Sequence, residues 1–222
     1  MAGLIRILLP VALAFWATGS VAHPHIFIST GLELQFDEDG KVAAVRVVWG
    51  YDDFYSLSTL ADRGLDPDAD GTLTPEELAQ LQGFDMRWIP GFDGDLYLEQ
   101  AGAPVPLSGP LDGTAMVIAG RIVTTHRRTL TDPVDPAAGP LSLKVYDPTY
   151  YTAYDIVMPV LFVGRDDCDA VLKLPDETAA NATLSRALAA LGPSQTLEDA
   201  GVDVSTAIGG AFAQQVVVTC RP

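Results

Sequence analysis

The chain has 222 residues, 48 % of them apolar, and a formal net charge of −16. That length suits one domain with a modest insertion and a sizeable buried core. The acidic balance speaks against nucleic acid and anionic membrane surfaces as partners, and for a surface that attracts cations.

Residues 1–22 read as a secretory signal peptide. Arg6 gives a positive start, "ILLPVALAFWA" (Ile7 to Ala17) an apolar core, and Ser20, Val21 and Ala22 the small-x-small ending of a cleavage site. The run is short for a spanning helix, and an uncleaved anchor is the alternative. The expectation is export to the periplasm, with His23 as the mature N-terminus. Residues 23–222 then form one β-rich domain without stable membrane insertion.

The mature chain opens on a hairpin pattern. "IFISTGLELQF" and "VAAVRVVWG" alternate apolar and polar residues on either side of "DEDGK". Further strands are expected at Asp95–Gln100, Thr114–Thr125, Leu141–Tyr146, Asp155–Val163 and Ala170–Leu174, and in "FAQQVVVTC" at the end. Pro- and Gly-rich runs such as "QAGAPVPLSGPLDG" and "DPVDPAAGP" read as loops between them. Helical spacing is confined to Phe54–Leu81, interrupted by an acidic loop, and to Glu177–Leu191. The expected fold is mainly β: an antiparallel sandwich-like domain with a helix-loop-helix insertion at 52–84 and one C-terminal helix.

The insertion carries "DPDADGTLTPEE", Asp66 to Glu77, which follows the EF-hand calcium loop. Asp66, Asp68 and Asp70 fall at positions one, three and five, and Gly71 permits the sharp turn. Thr72 offers its carbonyl, Thr74 is placed to act through a water, and Glu77 closes the loop as the bidentate ligand. Calcium needs several hard oxygens around one point, and this spacing wraps them there. Thr74 with Glu77 three residues on also reads as a capping box for the next helix. A second EF-hand is absent, so a structural calcium ion is expected rather than paired, cooperative sensing.

His23 and His25 lie two apart and would share a face of a strand. If His23 is the N-terminus, its amine and imidazole can hold one transition metal with His25 nearby; imidazole suits zinc, copper and nickel. Pro24 excludes a copper mode that needs an ionised amide there. His126, at the end of "IVTTHRR", and Asp53, in "WGYDDFYS", are candidates to complete the site. The bland alternative is a frayed tail and histidines bonded to loops. Asp147, Tyr150, Tyr151 and Asp155 in "KVYDPTYYTAYD" read first as turn and packing residues. The two cysteines, Cys168 and Cys220, fit one structural disulfide in an oxidising compartment, with a free thiol as the alternative.

The N-terminal "HPHIFI", "WGYDDFY", the acidic loop, "VYDPTYY" and the late cysteine pair come in an order that resembles a bacterial periplasmic family of unknown function. Its members are often labelled the periplasmic component of an uncharacterised ABC-type transport system. The resemblance covers essentially the whole mature chain. It implies a role in nickel, cobalt or zinc handling beside a membrane metal transporter, and it carries no ligand assignment. Strand following strand in a short chain does not fit a two-lobed solute-binding protein. The leading expectation is a periplasmic accessory protein, not an enzyme, that buffers, delivers or senses zinc, nickel, cobalt or copper and holds a structural calcium. The alternatives are a calcium-stabilised binding domain without a transition metal, and a copper enzyme coordinated through the N-terminal histidine.

Overall fold

The computed structural model describes residues 24–191 and 208–221. The signal-peptide expectation and His23 lie outside them. The described chain folds into two sheets. The first has the order β5-β6-β2-β1-β8, with β9 also paired to β1; the second runs β10-β11-β7-β3-β4. Their strands are β1 Ile26–Phe36, β2 Val42–Tyr51, β3 Leu96–Gln100, β4 Ala103–Pro104, β5 Leu111–Ile118 and β6 Arg121–Val134. The remainder are β7 Leu141–Val145, β8 Thr152–Ile156, β9 Leu161–Val163, β10 Cys168–Lys173 and β11 Gln215–Cys220. Helices α1 Asp53–Asp62, α2 Pro75–Leu81 and α3 Glu177–Ala190 accompany them, and residues 208–212 are also helical.

Alternation decides which face is buried. In β1 the even positions Ile28, Thr30, Leu32 and Leu34 are buried, and Phe27 stands half exposed on the other face. Leu96, Leu98, Leu141, Leu143, Val145, Val216 and Val218 of the second sheet join Ile28, Leu34, Val45 and Val47 of the first in one apolar cluster. This makes the mainly β, sandwich-like fold. The β1–β2 turn closes as its sequence suggests: Asp37 Oδ1 accepts the amides of Asp39 (3.1 Å) and Lys41 (2.9 Å), and Gly40 takes φ +73°.

Two expected strands are each divided in the structure. Thr114–Thr125 is the end of β5 and the start of β6, with Ala119 (φ 51°) and Gly120 (φ 78°) between them. Positive φ at both central residues is what a tight hairpin needs. Asp155–Val163 is likewise β8 and β9, and both run parallel to β1, so the first sheet is mixed rather than wholly antiparallel. β6 also extends through Pro133 to Val134, into a run expected to be loop.

Cys168 and Cys220 face each other across β10 and β11 and form the disulfide. Such a bridge fits an extracellular or periplasmic protein. Among the described residues no helix is long and apolar enough to cross a membrane.

Candidate functional site

The acidic loop sits between α1 and α2. Asp66 accepts the amides of Asp70 and Gly71 (both 3.1 Å), and Asp70 accepts that of Thr72 (2.7 Å). Gly71 has φ +78°. Glu77 folds back over the loop: one oxygen accepts the Asp66 amide (3.2 Å), the other the Thr74 amide and hydroxyl (2.8 Å each). Thr74 in turn caps α2 in a reciprocal capping box. The Thr74 donors hold the Glu77 carboxyl below its ordinary pKa. Ligand atoms of Asp66, Asp68 and Asp70 lie within 4.8 Å of one another. The donor set is all hard oxygen on a turning backbone, and it fits calcium. Leu65 and Leu81 of the insertion are buried in the main core and Leu73 packs against it. Gln82 fixes the insertion to β5 through a pair of bonds to the Ala115 amide and carbonyl (2.8 and 2.7 Å).

Three motifs far apart in sequence meet where β1 begins. The Tyr151 carbonyl accepts the amides of His25 (2.8 Å) and Ile26 (3.3 Å), and the His25 and Tyr151 rings lie 4.8 Å apart. Asp52 accepts the Phe27 amide with one oxygen (2.8 Å) and caps α1 at Tyr55 with the other (2.8 Å). Asp147 organises the third segment, accepting the Thr149 amide and hydroxyl (2.8 Å each) and the Thr152 amide (3.0 Å). Asp52 therefore clamps a strand to a helix. We expect Asp52→Ala to lower unfolding free energy by about 2–3 kcal/mol, one cap and one strand bond together, with Asp52→Asn keeping only one of the two bonds and so recovering about half in urea titrations.

His25 and His126 are not brought together; His23 lies outside the described residues. His126 pairs with Val47, which pairs with Leu32, so it lies level with a residue seven positions along β1 from His25. At 3.3 Å per residue that is roughly 23 Å. His126 also faces inward, 1 % exposed, between Trp49 and Trp88 at ring distances of 4.6 and 5.4 Å. Burial, with Arg128 adding to it, lowers its pKa to about 4. Asp53 is paired with Arg121 (3.5 Å), and it is Asp52 that touches β1. Among the described residues, Asp66, Asp68 and Asp70 form the one set of three or more such side chains converging on a point.

Beside the motif junction lies a cleft of about 660 Å³. Trp49, Tyr51, Tyr55, Trp88, Phe92 and Tyr154 stand in its walls, with Asp85, Asp95 and Asp147. Tyr51 donates to Asp85 (3.2 Å) and Tyr154 to Asp95 (2.6 Å). Burial raises the Asp95 pKa to about 7, against the opposing Tyr154 bond. Behind Trp88, outside the cleft lining, the buried Arg128 sets its guanidinium 5.1 Å from that ring and donates to the carbonyls of Asp93 (2.6 Å) and Ser108 (2.8 Å). Sequence reasoning passed over Asp85, Trp88, Asp95 and Tyr154. The signal for three of them was "FDMRWIPGFDGD", Phe84 to Asp95, where acids alternate with aromatics beside Pro and Gly.

A two-sheet β domain with a helix-loop-helix insertion, a disulfide at its edge and a junction of three motifs at one end defines the class of protein. The chain belongs to a family described as a protein of unknown function, DUF1007, whose model matches residues 8–220. No curated protein matches the chain.

Proposed function

We propose that this chain is a periplasmic accessory protein for transition-metal handling, with His23 and His25 as the core of the metal site and calcium ordering the 66–77 loop. The observation that carries the reading is the convergence of "HPHIFI", "YDDFY" and "DPTYY" on the start of β1. There His25 is exposed, and its backbone is anchored by the Tyr151 carbonyl. An exposed His25 on an anchored strand end, with His23 two residues before it in sequence, can take up a metal and release it to a membrane transporter. Zinc, nickel, cobalt and copper all suit imidazole donors, and binding fades below about pH 6 as the rings protonate. Calcium supports the arrangement from a distance. It orders the insertion from which the chain returns through Phe84–Phe92, the outer wall of the cleft.

The test is metal analysis of protein exported to the periplasm, with the N-terminus read by mass spectrometry, beside His25→Ala. One equivalent of transition metal on a chain starting at His23, lost in the variant, supports the reading. A mature protein that binds none of zinc, nickel, cobalt or copper overturns it. Calcium is tested separately by melting. At a hundredfold excess over Kd, it should raise Tm by about 5–10 °C relative to chelator, and Glu77→Gln should remove most of that shift.

A further inference from the structure

We propose that the aromatic cleft is a binding site for a quaternary ammonium ion, distinct from either metal site. The walls combine the faces of tryptophan and tyrosine with carboxylates, and none of the lining residues is Lys, Arg or His. Tyr51 stacks on Tyr55 at 4.9 Å, Trp49 stands 6.0 Å from Tyr154, and Trp88 meets Phe92 edge-on at 5.2 Å. Aromatic faces attract a cation through their quadrupoles, most strongly when water is excluded. A concave, mostly apolar pocket with a few polar groups is the usual form of a small-molecule site. The net charge of −16 favours the approach of cations from solution.

The carboxylates select among cations. Asp147 is engaged by Thr149 and Thr152, Asp85 by Tyr51, and Asp95 by Tyr154. They do not converge as a chelating set, unlike Asp66, Asp68 and Asp70, so a bare divalent ion gains little here. A primary ammonium is compact and strongly hydrated, and must shed that water to enter a cleft walled mostly by apolar and aromatic groups. A quaternary ammonium has no N–H. It needs only negative potential and aromatic surface, and the cleft offers both. Ile89, 74 % exposed, and Phe92, 38 % exposed, stand at the rim, where they can pack against methyl groups as the ligand enters.

The raised pKa of Asp95 adds a dependence on pH. Asp147 and Asp93 act with burial to favour its proton, while Arg128 and the Tyr154 bond oppose it. A bound cation expels that proton, so affinity should rise with pH through about 7. His126, behind Trp49 and Trp88, stays neutral until about pH 4 and takes no part in this window.

The test is calorimetric titration of the full chain with choline and with 3,3-dimethylbutan-1-ol, its uncharged carbon isostere. Choline should bind at least tenfold more tightly than the isostere and lose affinity between pH 8 and pH 6, with the isostere unaffected. Trp88→Leu and Asp95→Asn should each weaken choline at least tenfold. Circular dichroism establishes that each variant is folded, and Tyr55→Leu replaces any that is not. Equal affinity for choline and isostere, or a folded parent that binds neither, overturns the proposal. Both titrations are run with transition metal removed, so failure of the histidine site leaves this result unaffected.

Discussion

Between pH 7 and pH 4 an Asp95→Asn variant is expected to lose about 3 kcal/mol of stability that the parent protein keeps. Two buried groups of opposite sense produce the difference. His126 has a folded pKa of about 4 against an ordinary 6.5, so between those values the unfolded chain binds a proton that the folded chain refuses. Stability then falls as pH falls, by about 3 kcal/mol across the window. Asp95 has a folded pKa of about 7 against 3.8. The folded chain holds a proton that the unfolded chain has released, and stability rises as pH falls, by a similar amount. In the parent the two slopes nearly cancel. Asn at position 95 removes one and leaves the other exposed.

Urea unfolding at half-unit steps of pH would show this as a divergence of the two proteins that opens at about pH 7, where the folded parent takes up the Asp95 proton, and widens toward pH 4. The exposed carboxylates titrate alike in both and drop out of the comparison. Adding His126→Met to Asp95→Asn should flatten the curve again, since the sulfur side chain fills the space between Trp49 and Trp88 without a titrating group. Parallel curves for parent and Asp95→Asn would mean that Asp95 does not carry its shift, and a curve unchanged by adding His126→Met would mean the same of His126. The imidazole Nε2 has no partner where it is buried, and a proton arriving there would find neither acceptor nor counter-charge. Arg128, two residues along the same face, makes it less welcome still.

Local patterns were legible in the sequence because their cause is local. The turning acidic loop at 66–77 and the capped helix after it follow from spacing alone, and so does the β1–β2 hairpin, whose alternation and "DEDGK" turn occupy one continuous stretch. The inward face of β6 was not legible. Its buried positions run Ile122, Thr124, His126, Arg128, Leu130, and polar residues on the core side erase the alternation that would have shown which way His126 points. The Ala119–Gly120 turn was hidden by apolar residues before and after it. The parallel pairing of β8 and β9 with β1 depends on partners more than a hundred residues away, for which periodicity has no signal. The cleft escaped for the same reason. Tyr51, the Trp88–Asp95 segment and Tyr154 come from three separate stretches, and each is unremarkable until the sheets are assembled. The acids of the recognisable motifs, Asp52 and Asp147, turn out to hold backbone amides, while the acid with the strongly shifted pKa lies in a segment that no motif marked.

Gly209→Ala should be among the most destabilising single substitutions in the chain, at about 3 kcal/mol or more. A Cβ at this position would collide with the Asp147 carbonyl oxygen and come within 2.9 Å of the Pro148 Cα. These are backbone atoms, and no rotamer change relieves the overlap. Either the turn at residues 208–212 or the "DPTYY" segment must move. The first would pull Ile208 from its contact with Leu184, and the stacking of Phe212 on Tyr150 at 4.2 Å would go with it. The second would shift the Tyr151 carbonyl on which His25 and Ile26 depend. Gly210→Ala next to it is the control. Its Cβ would meet nothing nearer than the Tyr146 ring at 3.7 Å, and Ala in place of Gly in a helical turn is neutral or favourable. Thermal melts should separate the pair, with Gly209→Ala lower by about 6–12 °C and Gly210→Ala unchanged or slightly higher. Amide exchange then distinguishes the two routes of relief. Faster exchange at His25 and Ile26 in Gly209→Ala would show that the strain passes through the "DPTYY" segment to the start of β1, and so to the proposed metal ligands. Unchanged exchange there, with a lowered Tm, would confine the damage to the small cluster around Ile208.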